Sequence, residues 1–274
     1  MTLTVSCYPF LRDLVFEYSG IVLSDEQEYL VESRLGPLSK EYGLNSGHEL
    51  IEKAKSAPDE DLNRRMVEAM ATGETSWFRD IHPFDTLKDF ILPDLIDRRR
   101  NRRSLSIWSA AASTGQELFS VAMILDSFFP ETNGWELKML GTDYSAASIE
   151  RAKRGVFTSL EMNRGLPAMM LAQYFNREGP KFKIDDSIRS KVRFQTLNLV
   201  YDWLPPSTYD LILLRNVLLY FNTPTKQKVL ASVWSKVETD GYLLLGSTET
   251  TLGLADSILP SQHDGATFYQ KRSS

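Results

Sequence analysis

The chain has 274 residues, 42% of them hydrophobic and 24% charged, enough for one large core or two smaller ones. A formal net charge of -5 at pH 7 argues against broad nucleic-acid binding, which needs a basic surface. Cys7 is the one cysteine, so no internal disulfide can form, and no apolar run reaches the roughly 18 residues of a membrane span.

The opening stretch, MTLTVSCYPFLRDLV, lacks a basic leader ahead of a long apolar segment. No signal peptide is expected, and the cytoplasm is the expected compartment. Residues 1–72 read as an all-α domain. FLRDLVFEY repeats apolar residues at helical spacing, while Ser24 with Gln27 and Ser46 with Glu49 fit the capping-box pattern. Gly43 is a helix stop, and a further helix begins near Asp59 with Leu62, Met66 and Met70 along one face. Residues 1–75 hold 7 Lys and Arg against 14 Asp and Glu, an acidic average surface.

A linker is expected over residues 73–92. It opens with GETSWFRD, which sets Arg79 and Asp80 directly against the aromatic pair Trp77 and Phe78. From 93 to 274 strands and helices alternate. SLSIWSAA, ELKMLGTD, KVRFQTLNL, YDLILLRN and GYLLLGST read as strands, and amphipathic helices lie between most of them. That grammar predicts a mostly parallel sheet with helices on both faces, and GATFYQKR as a terminal antiparallel strand. Residues 156–193 break the alternation with a turn-like EGP between short strands, an inserted small β-subdomain.

In an open parallel sheet, ligands bind beyond the carboxyl ends of the strands at the topological switch point. The first strand delivers AASTGQE, whose small residues let a ligand approach the backbone. The second ends in Asp143, suited to the two hydroxyls of a ribose; the third ends in Asn198, and the fourth in Arg215-Asn216. Each has a structural alternative: tight packing for the loop, a helix cap for Asp143, a fastener for Arg215 and Asn216. Neither G-x-G-x-x-G nor the P-loop pattern occurs, so a pyrophosphate ligand is disfavoured. An acid for a ribose beside a loop without phosphate-binding glycines suggests S-adenosylmethionine.

GETSWFRD, WSAAASTGQELFSVAM, GTDYS, NLV and LLRNVLLYF, in this order, resemble the CheR-type chemotaxis-receptor glutamate methyltransferases over nearly the whole chain. The resemblance implies an α/β, Rossmann-like S-adenosylmethionine-dependent methyltransferase domain with an inserted β-subdomain and an N-terminal all-α domain. It further implies methyl transfer to glutamates on the cytoplasmic helical bundle of chemoreceptors. The implied cofactor contacts are Thr75, Arg79, Glu117, Asp143, Asn198, Leu199, Arg215 and Asn216. Tyr220 matches the family's tyrosine near the transferred methyl, which makes Arg79 and Tyr220 the expected catalytic pair. Gly73 departs from the family's usual asparagine, and Ala112 from a frequent cysteine. The short hairpin of the insertion points to docking independent of the C-terminal receptor pentapeptide. A monomer without membrane insertion is expected. The alternative, from another class, is a non-catalytic adenosylmethionine-binding signalling adaptor on the same fold.

The chemistry is consistent with the residues present. A glutamate acceptor, with a reference pKa near 4.3, is already ionised at neutral pH, so no general base is needed. His48, His82 and His263 show no metal-ligand spacing and read as structural or surface groups. An acidic receptor bundle calls for basic docking residues; DRRRNRR at 97–103 and Arg64-Arg65 are the candidates.

Overall fold

The computed structural model describes residues 7–71, 73–255 and 257–272. The leader reading on residues 1–6 therefore lies outside the described residues. The chain divides into two compact units, Met1–Thr72 with Tyr220–Thr225, and Gly73–Leu219 with Lys226–Ser274.

The first unit is helical, with α1 (Tyr8–Ser19), α2 (Leu30–Glu41), α3 (Gly47–Ser56) and α4 (Glu60–Met70). Gly20, left-handed at φ 73°, ends α1 by donating its N–H to Phe16 O. The Asp59 carboxylate starts α4 by accepting from the N–H groups of Asp61 and Leu62. Ser46 caps α3 through Glu49 N, but the Glu49 carboxylate reaches back to Asn45 N rather than to Ser46. Ser24 and Gln27 pair as expected, on a 3-10 turn ahead of α2. Leu11, Val15, Leu35, Leu62 and Met66 are fully buried and form this unit's core, each contributing about 2 kcal/mol. Residues 220–225 belong here: Val22 N donates to Tyr220 O at 2.8 Å, and Ile21 bridges Phe221.

The second unit opens with the segment 73–81 and then runs helically through α5 (His82–Thr86), a π turn (Leu87–Ile91) and α6 (Leu92–Arg99). The alternation follows: β1 (Ser104–Ser109), α7 (Gln116–Phe128), β2 (Glu136–Asp143) and α8 (Ala146–Arg154). The insertion comprises β3 (Val156–Thr158), α9 (Ser159–Met162), α10 (Ala168–Tyr174), β4 (Phe175–Glu178), β5 (Lys181–Ile184) and α11 (Asp186–Arg189). Last come β6 (Val192–Thr196), β7 (Tyr209–Leu214), α12 (Thr223–Ser235), β8 (Val237–Leu245), β9 (Pro260–His263) and β10 (Ala266–Gln270).

The large sheet has the order β6-β2-β1-β7-β8-β10-β9. Its pairs are parallel except that β10 runs antiparallel to β8 and β9, as GATFYQKR predicts. A separate antiparallel sheet, β3-β5-β4, is the inserted subdomain. β7 is buried at every residue, the run of apolar side chains that a central parallel strand needs. Near the start of β7, fully buried Asp210 accepts from Arg99 Nε at 2.7 Å, Arg102 Nη2 at 2.7 Å and Ser106 N at 2.8 Å. Arg98 and Arg100 pair with Asp94 and Asp97, so much of the basic run at 97–103 answers carboxylates of its own chain.

Candidate functional site

Strand order reverses between β1 and β7, which places the switch point at the loop after β1. That loop is tied to both neighbours: Ala110 N donates to Leu213 O and Ala112 N to Thr142 O, each at 2.8 Å. The chain then turns sharply through Ser113 (φ 48°) and Gly115 (φ 96°) into α7. A Cβ at Gly115 would lie 2.9 Å from the Phe194 ring and 3.0 Å from Phe119, so the helix packs at glycine distance from the sheet.

Asp143 stands at the end of β2, half-buried. Its Oδ2 accepts from Ser113 N at 2.8 Å and its Oδ1 from Ser145 N at 3.0 Å. Both oxygens are thus aimed by backbone N–H groups. Asp143 does bear on the start of α8, but Ser145 supplies that helix's side-chain cap, accepting from Ser148 N. Asn198 and Leu199 follow β6 in a tight turn, where Asn198 Oδ1 accepts from Val200 N and Asn198 N donates to Asp202. Leu197 N donates to Asp143 O, which brings this turn beside the end of β2.

The segment 73–81 docks on the same unit at several points. Gly73 O accepts from Ser113 Oγ at 2.6 Å, putting the start of the linker on the β1 loop. Trp77, fully buried, meets Phe157 and Phe175 edge-on at 4.8 and 5.3 Å, and its backbone N–H donates to Arg164 O. Trp77 therefore anchors the linker on the inserted β-subdomain. Phe78, at φ 47°, packs edge-on against Phe84 at 5.4 Å. Thr75 and Arg79 flank these anchors, both half-buried, and Arg79 Nη1 donates to Glu74 O at 3.0 Å.

Arg215 binds these parts together. Its side chain is 1% exposed. Nη1 donates to Glu117 Oε2 at 2.9 Å; Nη2 donates to Arg79 O at 2.8 Å and to Asp80 Oδ2 at 3.0 Å. The other Glu117 oxygen accepts from Ser109 Oγ at 2.8 Å. The guanidinium also lies over the Phe84 ring, 5.4 Å from its centroid. The structure therefore ties Arg215, Glu117 and the backbone of Arg79 to Ser109 at the end of β1, whereas Thr75 makes no hydrogen bond to this group.

Asn216 holds a left-handed backbone (φ 56°), and its N–H donates to Glu249 Oε2 at 2.7 Å. Glu249 escaped the sequence reading. Its signal is the acid three residues beyond Gly246 in GSTET, just past the last long parallel strand. Tyr220 ends the 3-10 turn Leu218–Tyr220 and is grouped with the helical unit through Val22. Of the histidines, His48 bonds Glu32 at 2.7 Å and His263 stacks on Phe90. The Gly47 N–H, followed by His48, holds the Glu32 carboxyl below its ordinary value. Among the described residues no cluster of His, Cys, Asp and Glu has the makings of a metal site.

The donor set suits an adenosyl cofactor. Asp143 presents a fixed carboxylate for a diol, Glu117 an acidic oxygen for a cation, and Arg215 Nε is a buried N–H with no partner in the protein. The β1 loop carries one glycine rather than a phosphate-cradling set.

The comparisons agree with this chemistry. The family model "CheR methyltransferase, SAM binding domain" matches residues 73–263, and "CheR methyltransferase, all-alpha domain" matches 8–70. Chemotaxis protein methyltransferase Cher2 of Pseudomonas putida is 36% identical over 258 residues, covering 92% of this chain and 93% of its own. Chemotaxis protein methyltransferase 1 of Pseudomonas aeruginosa is 39% identical over 254 residues, covering 91% and 92%. That of Vibrio parahaemolyticus is 38% identical over 242 residues, covering 87% of each chain. With both domains matched in order, and strand-end groups suited to an adenosyl cofactor, this chain belongs to the CheR methyltransferase family and its cofactor is S-adenosylmethionine.

Proposed function

We propose that the protein esterifies glutamate side chains on the cytoplasmic helical bundle of chemoreceptors. The observation that carries the reading is the linker: Arg79 is held beside the cofactor-type strand ends, with its backbone fastened by buried Arg215. S-adenosylmethionine supplies a methyl on a sulfonium; a carboxylate oxygen takes it, the carbon–sulfur bond breaks, and methyl ester and S-adenosylhomocysteine result. Asp143 would hold the ribose hydroxyls, and Asn198 with Leu199 the adenine edge. Arg79 presents a planar fork of donors that orients a carboxylate, either the cofactor's own or the acceptor's. Tyr220 supplies a hydroxyl for the acceptor oxygen. Because the reaction joins a cation and an anion, water stabilises the reactants more than the transition state. Excluding it behind the Trp77-anchored linker therefore assists.

The docking partner is an acidic helical surface, met by Arg64 and Arg65 on α4. Arg64 pairs with Glu60, and Arg65 with Glu41 and Tyr42. Such exposed pairs are worth under about 1 kcal/mol, so a receptor carboxylate competes readily. The β4–β5 hairpin turns within Gly179-Pro180, a compact insertion that favours docking independent of a receptor pentapeptide. The protein is proposed to work as a cytoplasmic monomer; no described helix is long and apolar enough to cross a membrane.

Incubation with radiolabelled adenosylmethionine and receptor cytoplasmic fragments tests the proposal. Base-labile label on receptor glutamates is expected. Cofactor binding without transfer to any cognate receptor would instead identify an adaptor.

A further inference from the structure

One carboxylate beyond the last long parallel strand gathers an unusual number of backbone donors. Glu249 Oε2 accepts from Gly246 N and Asn216 N, both at 2.7 Å. Oε1 accepts from Val217 N at 2.9 Å, Leu218 N at 2.7 Å and Leu219 N at 3.4 Å. The N–H groups of four successive residues beyond Arg215 thus converge on a single side chain.

The backbone is shaped for this. Asn216 sits at φ 56°, a conformation that costs an L residue about 1 kcal/mol or more unless something holds it. A Cβ on Gly246 would fall 2.6 Å from Glu249 Oε2 and 2.9 Å from Asn216 N, so only glycine lets the carboxylate in. β8 pairs with β7 as far as Leu214; past it, Glu249 takes over as acceptor for the segment.

We propose that Glu249 is a positioning residue for methyl transfer, fixing the strand-end segment 216–219 next to Arg215 and ahead of Tyr220. The inference rests on the functional reading above, in which Arg215, Asn216 and Tyr220 belong to the site. A carboxylate suits this role and an amide does not. Glutamine has one acceptor oxygen, and its NH2 would face N–H groups.

The test uses the full chain with Glu249→Gln. Three quantities are measured: methyl transfer to a receptor fragment, thermal unfolding, and amide hydrogen exchange. The expected result is a folded variant whose kcat falls about 100-fold, as small misplacements of reacting groups do. Amides 216–219 should exchange at least about tenfold faster, while those of β1 and β7 stay protected. A variant that loses this protection yet keeps kcat within about twofold overturns the proposal, since a fastener of stability alone would behave that way. If the variant does not fold, the wild type decides: slow exchange at 216–219 supports the pin, and exchange at open-loop rates overturns it. Wild type that binds adenosylmethionine but methylates no receptor counts against the functional reading alone, and the exchange data then judge the pin.

Discussion

Arg215 closes on Asp80: its Nη2 donates to Asp80 Oδ2 at 3.0 Å and, from the same nitrogen, to Arg79 O at 2.8 Å. The pair spans 135 residues and holds a turn in which Phe78, Asp80 and Ile81 all have positive φ. Buried as it is, the guanidinium is little screened by salt. Arg215→Ala should cost about 3–5 kcal/mol, because it strands Glu117 with Ser109 as its other side-chain partner. Arg215→Lys should cost less, about 1–2 kcal/mol, yet still release the linker, since one ammonium cannot serve both Glu117 and the turn. Urea denaturation of both variants checks this; an unchanged midpoint in Arg215→Ala would refute the fastening.

Arg79 is the converse case. Its side-chain hydrogen bond is to Glu74 O, and it is only half-buried. Arg79→Ala should therefore change stability by less than about 1 kcal/mol while lowering kcat/KM about 100-fold. The split tells which carboxylate it orients. A raised KM for adenosylmethionine marks the cofactor's, and a raised KM for receptor marks the acceptor's. Near-normal turnover would remove the linker from the active site.

The anchor of the linker can be tested from its far side. Gly165 has φ 91°, and a Cβ there would lie 2.2 Å from Trp77 O. Gly165→Ala must push the linker off Arg164 O, at a cost of about 2–4 kcal/mol. Gly179, at φ 60° with nothing within 4 Å of its Cβ position, should cost only about 1 kcal/mol on the same change. Denaturant midpoints and near-ultraviolet circular dichroism of the two variants give the comparison. Equal losses would mean that backbone conformation, and not Trp77, sets the cost.

Elements with strong periodicity were legible from sequence: α1, α4, α7, the five parallel strands from β1 to β8 and the antiparallel β10. β9 was not, because a four-residue strand of Pro260–His263 with alternating partial burial carries no apolar signal. The short helices of the insertion were missed for the same reason of length. Arg215 was legible as a strand-end residue, but its direction was not: its partners Glu117 and Asp80 are 98 and 135 residues away. Glu249 bonds backbone N–H groups, which every residue but proline carries, so no side-chain pattern announces it.

Tyr242 offers a pH signature. Burial first, and then its hydrogen bond to Asp94, push its phenol far above the ordinary value. The folded state thus favours the neutral form, and this contribution is complete below the unfolded value near 10. As pH rises further, the unfolded chain gains by ionising and stability falls, by at most about 1.4 kcal/mol per pH unit for this one group. Tyr242→Phe should flatten the difference in stability between pH 10 and 11 by up to that amount. Parallel curves for the two proteins would show that Tyr242 ionises normally.

Gly141 and Phe194 are register partners across β2 and β6, and the ring lies over the glycine. A Cβ on Gly141 would meet Phe194 Cδ1 at 2.5 Å and Ala112 Cβ at 3.1 Å. Gly141 has no left-handed φ, so its substitution tests space alone. Gly141→Ala should cost about 2–3 kcal/mol through overpacking, and Phe194→Leu about 1–2 kcal/mol through lost volume. Together they should cost less than the sum by about 1 kcal/mol or more, because the smaller side chain vacates the place the methyl needs. Since Ala112 and Asp143 flank this contact, adenosylmethionine affinity should fall in Gly141→Ala and recover in the pair. Strict additivity in a double-mutant cycle would mean that the strand backbone moves instead of the ring, and the strand-end loop would then be looser than its hydrogen bonds to Leu213 and Thr142 imply.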